Sequence, residues 1–261
     1  MKERGLAFLT IAAIVIIAAF LFFPRTANKV ETLPEPAPAP VQPAPAPAQE
    51  TAIKFPVPEA PAPATEAPLP ALGESDQTVR ADLAILISAE SVSKFVAVDE
   101  VIRRIVSTVD NLPREKLALR LWPILPTAGK FAAVEQDGNA ELSPENYSRY
   151  MPLMTVVASV DVWKAAAFYQ HFYPLFQQAY RDLGYPSGYF NDRLVEVIDH
   201  LLAAPEITGP IHLVRPAVYY KYADPDLEKL SAGQKVLIRI GPENGKLLKA
   251  KLAEFRTQIA D

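Results

Sequence analysis

Asn191-Asp192-Arg193, followed by Glu196, Asp199 and His200, is the most polar cluster beside an aromatic stretch of the chain. Paired carboxylates do acid–base work when they flank a substrate. A Glu and a His at i, i+4, as in Glu196 and His200, place two ligand types on one helical face. Each feature also has a structural reading. Asp192 stands where a helix begins and serves first as its cap. Glu196 and Asp199 are i, i+3 neighbours, too local to flank a substrate unless their helix faces a cleft. Arg193 is placed to brace Glu196, and Arg215, just before Pro216, to pair with one of these acids in the interior. His171, His200 and His212 fall on separate elements without an HExxH pair, so no metal site is assigned. The absence of cysteine excludes disulfides, thiolate metal sites and a thiol nucleophile. No Gly-rich phosphate loop, GxSxG elbow or nucleophile–base arrangement occurs. No residue is assigned a catalytic role, and no cofactor is implied.

Aromatic residues surround this cluster. Phe168, Phe172, Phe176 and Tyr180 recur every four residues and read as the buried stripe of a helix. Tyr169 and Tyr173 lie on a neighbouring face. Tyr185, Tyr189 and Phe190 follow Gly184 in a loop, where phenol groups suit a groove for a glycan, a peptide or a lipid. The candidate binding set is therefore Tyr185, Tyr189, Phe190, Asp192, Arg193, Glu196, His200 and Arg215.

The elements that must position these residues are mostly helical. Val98, Val101, Ile102, Ile105, Val106 and Val109 follow an i, i+3, i+4 pattern, with Arg103, Arg104, Ser107 and Thr108 on the opposite face. An earlier helix runs from Ser75 or Asp76 through Ile87. Ser143-Pro144-Glu145 opens a helix toward Val157, which Pro152 is expected to kink. Asp161 opens a long helix that ends before Gly184-Tyr185-Pro186. Asn191 or Asp192 caps the next, stopped by Pro205. Ser231 and Gln234 form a capping box, Gly241 and Pro242 end that helix, and Leu248, Leu252, Phe255 and Ile259 stripe the last. Phe131–Glu135 and Ala140–Leu142 flank a hairpin turn at Gln136-Asp137-Gly138-Asn139. Pro216 reduces Ile211–Tyr222 to an edge strand or an extended segment. A two- or three-stranded element is expected.

Several strings within this region occur together and in order: Tyr173-Pro174-Leu175-Phe176, Gly184-Tyr185-Pro186, Phe190-Asn191-Asp192-Arg193-Leu194, Ile198-Asp199-His200-Leu201-Leu202, Val214-Arg215-Pro216, Ser231-Ala232-Gly233-Gln234-Lys235 and Gly241-Pro242-Glu243-Asn244. They resemble the bacterial domain-of-unknown-function family 3014, most strongly from Phe172 to Gly245. The resemblance implies a bacterial envelope protein with an anchor followed by a proline-rich stretch. It supplies no activity, ligand or catalytic residue.

The rest of the chain sets where such a domain works. Gly5–Phe23 is apolar apart from Thr10. At ~1.5 Å per residue it spans ~28 Å, close to the ~30 Å hydrocarbon core, and no small-x-small cleavage site follows. It reads as an uncleaved single-pass anchor. Basic residues on its two sides nearly cancel. The free amino terminus and the next stretch, with only Lys54 as a basic residue between Lys29 and Arg80, tip the orientation to N-terminus inside. Half of the 26 prolines fall between Pro34 and Pro70, alternating with alanine as a polyproline II rod. Inside that stretch, Ile53-Lys54-Phe55-Pro56-Val57-Pro58 reads as a stray apolar patch in disorder rather than a docked segment.

The expected fold class is mainly α. It comprises an anchor at 5–23, a disordered Pro/Ala-rich linker at 24–73 and one compact helical domain with a small β element at 74–261. A net charge of −4 with both signs mixed lacks a nucleic-acid footprint. The expected function is a non-enzymatic binding module on the bacterial inner membrane. Its N-terminus is cytoplasmic, and its C-terminal domain faces the periplasm and an envelope protein or cell-wall polymer. The alternative is a glycan hydrolase or lyase using Asp192, Glu196 or Asp199.

Overall fold

A computed structural model describes residues 52–58, 68–116, 119–136 and 139–260. The expected anchor, much of the linker and the Asp137-Gly138 turn lie outside these residues. Among the described residues, no single helix is long and apolar enough to cross a membrane. The described residues form nine helices and a small antiparallel sheet. They run α1 (Asp76–Ile87), α2 (Ala89–Phe95), α3 (Val101–Asn111), β1 (Ala133–Gln136), β2 (Asn139–Leu142), α4 (Glu145–Ser159), α5 (Val162–Asp182), α6 (Phe190–Leu202), β3 (His212–Val214), β4 (Lys221–Tyr222), α7 (Pro225–Lys229), α8 (Ala232–Arg239) and α9 (Pro242–Ala260).

Helix α6 is the centre of the domain, with α3, α5, α8 and α9 packed around it. Its sequence has apolar residues at Leu194, Val195, Val197, Ile198 and Leu201, and all five are buried. Each such burial contributes ~1.5–3 kcal/mol against leaving the side chain in water. The aromatic stripe of α5 meets it, with Phe168, Phe172, Phe176 and Tyr180 all buried. Helix α3 is more enclosed than its pattern suggests. Ser107 and Thr108, expected on a polar face, are buried together with Asp110, because α1, α5 and α6 all pack on this helix.

The caps largely follow the sequence. Asp161 Oδ1 accepts the backbone N–H groups of Trp163 and Lys164 at 3.0 and 3.2 Å. Ser231 and Gln234 form the reciprocal capping box that opens α8, and Gly241, at φ +93°, ends it. Helix α4 runs through Pro152 to Ser159 without interruption. Helices α4 and α5 meet at a bend of 82°. The short helix α2 has no periodic signature. It begins at Ser88, in a positive-φ conformation, whose side chain accepts Ser91 N–H.

The sheet is larger than expected, with four strands in the order β1-β2-β3-β4. Ile211–Tyr222 is not one extended segment: it folds back on itself as an antiparallel pair, Leu213 opposite Tyr222. Pro216 falls in the connection, where no ladder donor is required. The sheet covers a second cluster of Leu142, Ile211, Leu213, Tyr222 and Ile238. Residues assigned to the linker also join the main core: Leu72 is buried there, and Phe55, Val57 and Leu69 pack against it.

Helix α8 enters this arrangement head-on to the end of α3. Gly233 N–H donates to Leu112 C=O at 2.9 Å, and Ala232 N–H to Arg114 C=O at 2.8 Å. A Cβ on Gly233 would stand 2.6 Å from Leu201 Cδ2 and 3.1 Å from the Leu112 oxygen. Gly233→Ala should therefore destabilise the domain by ~1–3 kcal/mol, as overpacking does. Urea unfolding should show a lower midpoint at an unchanged slope.

Candidate functional site

Helix α6 begins without the cap its sequence suggests. Its first N–H, on Phe190, donates to Gln177 Oε1 of α5 at 2.9 Å. The Gln177 amide also donates to Gly188 C=O at 2.8 Å, so α5 holds the loop and the helix start together. The N-cap position is Tyr189, which makes no side-chain cap bond. Neither Asn191 nor Asp192 caps α6, and this releases both side chains for other partners.

Asn191 has no exposed surface. Its Oδ1 accepts the Tyr169 hydroxyl at 2.9 Å. Its Nδ2 donates to Ile259 C=O, in the last turn of α9, at 2.8 Å and to Phe55 C=O at 2.9 Å. Phe55 belongs to the apolar island of the linker. That island is not a stray patch, because an array of hydrogen bonds docks it on the head of α6. Asp192 Oδ1 accepts Phe55 N–H at 2.8 Å, and its two oxygens share Lys54 N–H at 3.2 and 3.0 Å. The Tyr189 hydroxyl accepts Val57 N–H at 3.0 Å. The Arg256 guanidinium lies 5.8 Å from the Phe55 ring centroid and also holds Asp199, with Nη2 at 3.0 Å from Oδ2.

The opposite side of the α6 head is a closed ionic cluster around Asp110 of α3. Arg193 Nε donates to Asp110 Oδ1 at 3.2 Å, and its Nη2 to the Asp110 carbonyl at 2.9 Å. Arg114 pairs with the same carboxylate, and the Tyr185 hydroxyl donates to it at 3.2 Å. Arg193 also reaches Glu196, at 3.1 Å.

The eight candidate residues thus divide. Tyr189 and Asp192 hold the linker segment. Tyr185, Arg193 and Glu196 belong to the Asp110 cluster. Phe190 is core, 1% exposed, stacked on Phe176 with ring centroids 5.8 Å apart. His200 is at the far end of α6, 2.8 Å from the Ser231 hydroxyl of the α8 capping box. Arg215 pairs with none of the acids. It is exposed on the β3–β4 connection, its guanidinium 5.4 Å from the Tyr220 ring centroid. His171 contacts Phe172, and His212 pairs with Glu141. Among the described residues, no group of three or more His, Asp or Glu could hold a metal ion.

Three phenols of α5 are weak acids. Burial pushes Tyr169 well above its ordinary value, with the neighbouring phenols and Asp192 adding to the shift. Burial and a hydrogen bond with Tyr189 do the same to Tyr173, and burial raises Tyr180 to about 12. All three are neutral at ordinary pH, and Tyr169 and Tyr173 donate hydrogen bonds to Asn191 and Gln177. Residue types alone did not single out Asp110, Arg256 or Gln177, because each acts through a contact far away in sequence. Phe55 did carry a signal, as the aromatic residue of an apolar island in a stretch otherwise of proline and alanine.

A family model described as Protein of unknown function (DUF3014) matches residues 101–256, and the chain belongs to that family. The matched span covers α3 through most of α9 and holds Tyr189, Asn191 and Asp192, while the docked segment lies outside it. No curated protein and no solved structure matches the chain.

Two mutations separate the roles of the adjacent residues. Asn191→Ala strands the Tyr169 hydroxyl and the Ile259 carbonyl in the interior, and thermal unfolding should show a loss of ~2–3 kcal/mol. Asp192→Ala removes only bonds near the surface, so stability should change by less than ~1 kcal/mol. Amide exchange at Lys54, Phe55 and Val57 should nevertheless accelerate. Burial, with a smaller push from Arg193, lowers the His200 pKa from 6.5. A group with a lowered folded pKa binds fewer protons folded than unfolded. Its contribution is therefore complete above pH 6.5 and is lost as pH falls through the folded value. Melting curves of wild type and His200→Gln should diverge less at acidic pH than at pH 7.5.

Proposed function

We propose that this chain is a membrane-anchored bacterial envelope protein whose helical domain is a non-enzymatic binding module. It is presented on the periplasmic face of the inner membrane and grips a short polypeptide segment at the head of α6. The observation that carries this reading is the docking of residues 53–58. Three N–H groups and one carbonyl of that segment, which bends at Lys54 and Phe55, meet Asp192, Tyr189 and Asn191, so side chains of the domain hold its backbone, as in peptide recognition. The apolar Gly5–Phe23 run and the proline-alanine stretch support the membrane placement. They read as an anchor and a rod able to reach on the order of 100 Å.

The reading as a glycan hydrolase or lyase requires at least one acid open to a cleft. Asp192 is occupied by two backbone N–H groups, Asp199 by Arg256 and Glu196 by Arg193. A binding role asks nothing further of these carboxylates, so it is the reading favoured here.

The test uses the full chain in its membrane, with a photo-crosslinking amino acid in place of Tyr189. The chain should resist extraction by high salt, a C-terminal reporter should be active only outside the cytoplasm, and ultraviolet light should attach a second protein at position 189. Adducts confined to the chain itself, or to polysaccharide, would remove the peptide-binding reading. A cytoplasmic reporter would reverse the orientation.

A further inference from the structure

The docked segment matches its site in two ways, in its hydrogen bonds and in its side chains. Within Lys54-Phe55-Pro56-Val57-Pro58, only Lys54, Phe55 and Val57 carry a backbone N–H, since proline has none. All three donate to the site. The two positions where the site offers no acceptor are prolines. Each proline also drives the residue before it into the extended region, so Phe55 and Val57 are held ready for docking before they dock. The side chains divide in the same way. Phe55 and Val57 pack against the core, whereas Ile53 and Lys54 are exposed.

Backbone pattern alone does not explain the choice of segment. Pro36-Ala37-Pro38 and Pro43-Ala44-Pro45 repeat the same alternation of donor and proline. They lack an aromatic residue for the place under Arg256 and a branched one beyond it. Leu33-Pro34-Glu35-Pro36 has the spacing, but it lacks the aromatic residue and would put an acid in the place where Val57 packs against the core. Phe55-Pro56-Val57-Pro58 is the stretch of the linker that meets both requirements.

The receiving surface, by contrast, is built into the domain. Asn191 is fixed by Tyr169 and Ile259, and the Tyr189 ring packs on Tyr173 with centroids 5.6 Å apart. Arg256 is held by Asp199. None of these contacts involves the docked segment. A rigid site filled by a short, half-exposed segment of the same chain is the arrangement of a receptor holding a tethered pseudo-ligand. Tethering raises the effective concentration to the millimolar range for short flexible links, so few contacts suffice to keep the segment in place.

Resting on the peptide-binding reading, we propose that the head of α6 is a recognition site for aromatic-Pro-aliphatic-Pro segments of partner proteins. Residues 53–58 are its resident, displaceable strap. A partner bearing this motif takes the strap's place, donating its own backbone N–H groups to Asp192 and Tyr189 and accepting from Asn191.

The experiment uses the full chain in detergent micelles and a labelled peptide of the sequence of residues 52–58. If the strap fills the site nine-tenths of the time, Phe55→Ala/Val57→Ala in the chain should strengthen peptide binding ~10-fold. Adding Asp192→Ala to that variant should abolish binding. A peptide N-methylated at the nitrogen corresponding to Val57 should fail, and one N-methylated at Ile53 should bind normally. Melting temperatures of the variants establish that each is folded. Equal affinity for wild type and the strap variant would show that the strap does not occupy the site. Failure of the peptide to bind the folded strap variant would overturn the motif. If position 189 still crosslinked to a protein in membranes, the broader peptide-binding reading would survive that result. Absence of both signals would remove the two together.

Discussion

The side-chain amide of Asn191 has one acceptor and two donors, and full burial leaves it no water to bond with. Every one of those groups has to be met by protein, because an unpartnered buried amide costs several times what a satisfied one contributes. Tyr169 supplies the donor from α5. Ile259 supplies one acceptor, and in doing so has one of the carbonyls that a helix end leaves unpaired satisfied. The head of α6 thus serves as the cap for the end of α9, which fixes the two helices in register. The remaining hydrogen points toward Phe55. Its direction is set by the other two bonds, so the site demands a carbonyl there whether or not the linker supplies it. The Phe55 backbone carbonyl meets that demand in this chain.

The next two residues point to different sides of the helix, about 100° apart in an α-helix, and their charges are used differently. Arg193 turns inward to Asp110, a carboxylate shared with Arg114 and Tyr185. A buried acid so surrounded is structural, since removing one partner leaves a charge in a medium that cannot solvate it. Asp192 turns outward, stands in the first turn of its helix where the dipole favours a negative charge, and takes two N–H groups from a segment more than a hundred residues away in sequence. The polar cluster that invites a catalytic reading is therefore two structures back to back. One locks α3 to α6, and the other holds Lys54 and Phe55 of the same chain.

Much of the scaffold was legible because local rules and tertiary packing agree. The Asp161 cap, the Ser231–Gln234 box and the stripe Leu248, Leu252, Phe255, Ile259 are all satisfied within a few residues of chain. The site was legible only in its membership. Residue type and position point to Tyr189 and Asp192, but they also make Asp192 look like a cap, because Asp at a helix start usually is one. The displacing partner, Gln177, lies on another helix, and no periodicity announces it. The same holds for Asp110, which sits at the end of an amphipathic pattern and looks solvent-facing until α6 is packed against it. Arg215 failed in the opposite way. Its neighbour Pro216 marked a chain reversal, which carried the guanidinium onto the sheet and away from the acids.

The linker is where composition misled most, and the reason is instructive. Proline at alternate positions keeps a segment out of helices and sheet ladders, and low apolar content keeps it out of a core. Both arguments concern structure that a segment builds for itself. Neither applies to a surface that another part of the chain has already built. There the same prolines become favourable: they remove donors that would otherwise need partners and reduce the entropy lost on docking. Two apolar side chains then suffice to select one stretch among several of like backbone. A composition that forbids independent folding is thus compatible with ordered binding, provided that the receptor carries the unmet polar groups, as Asn191 and Asp192 do.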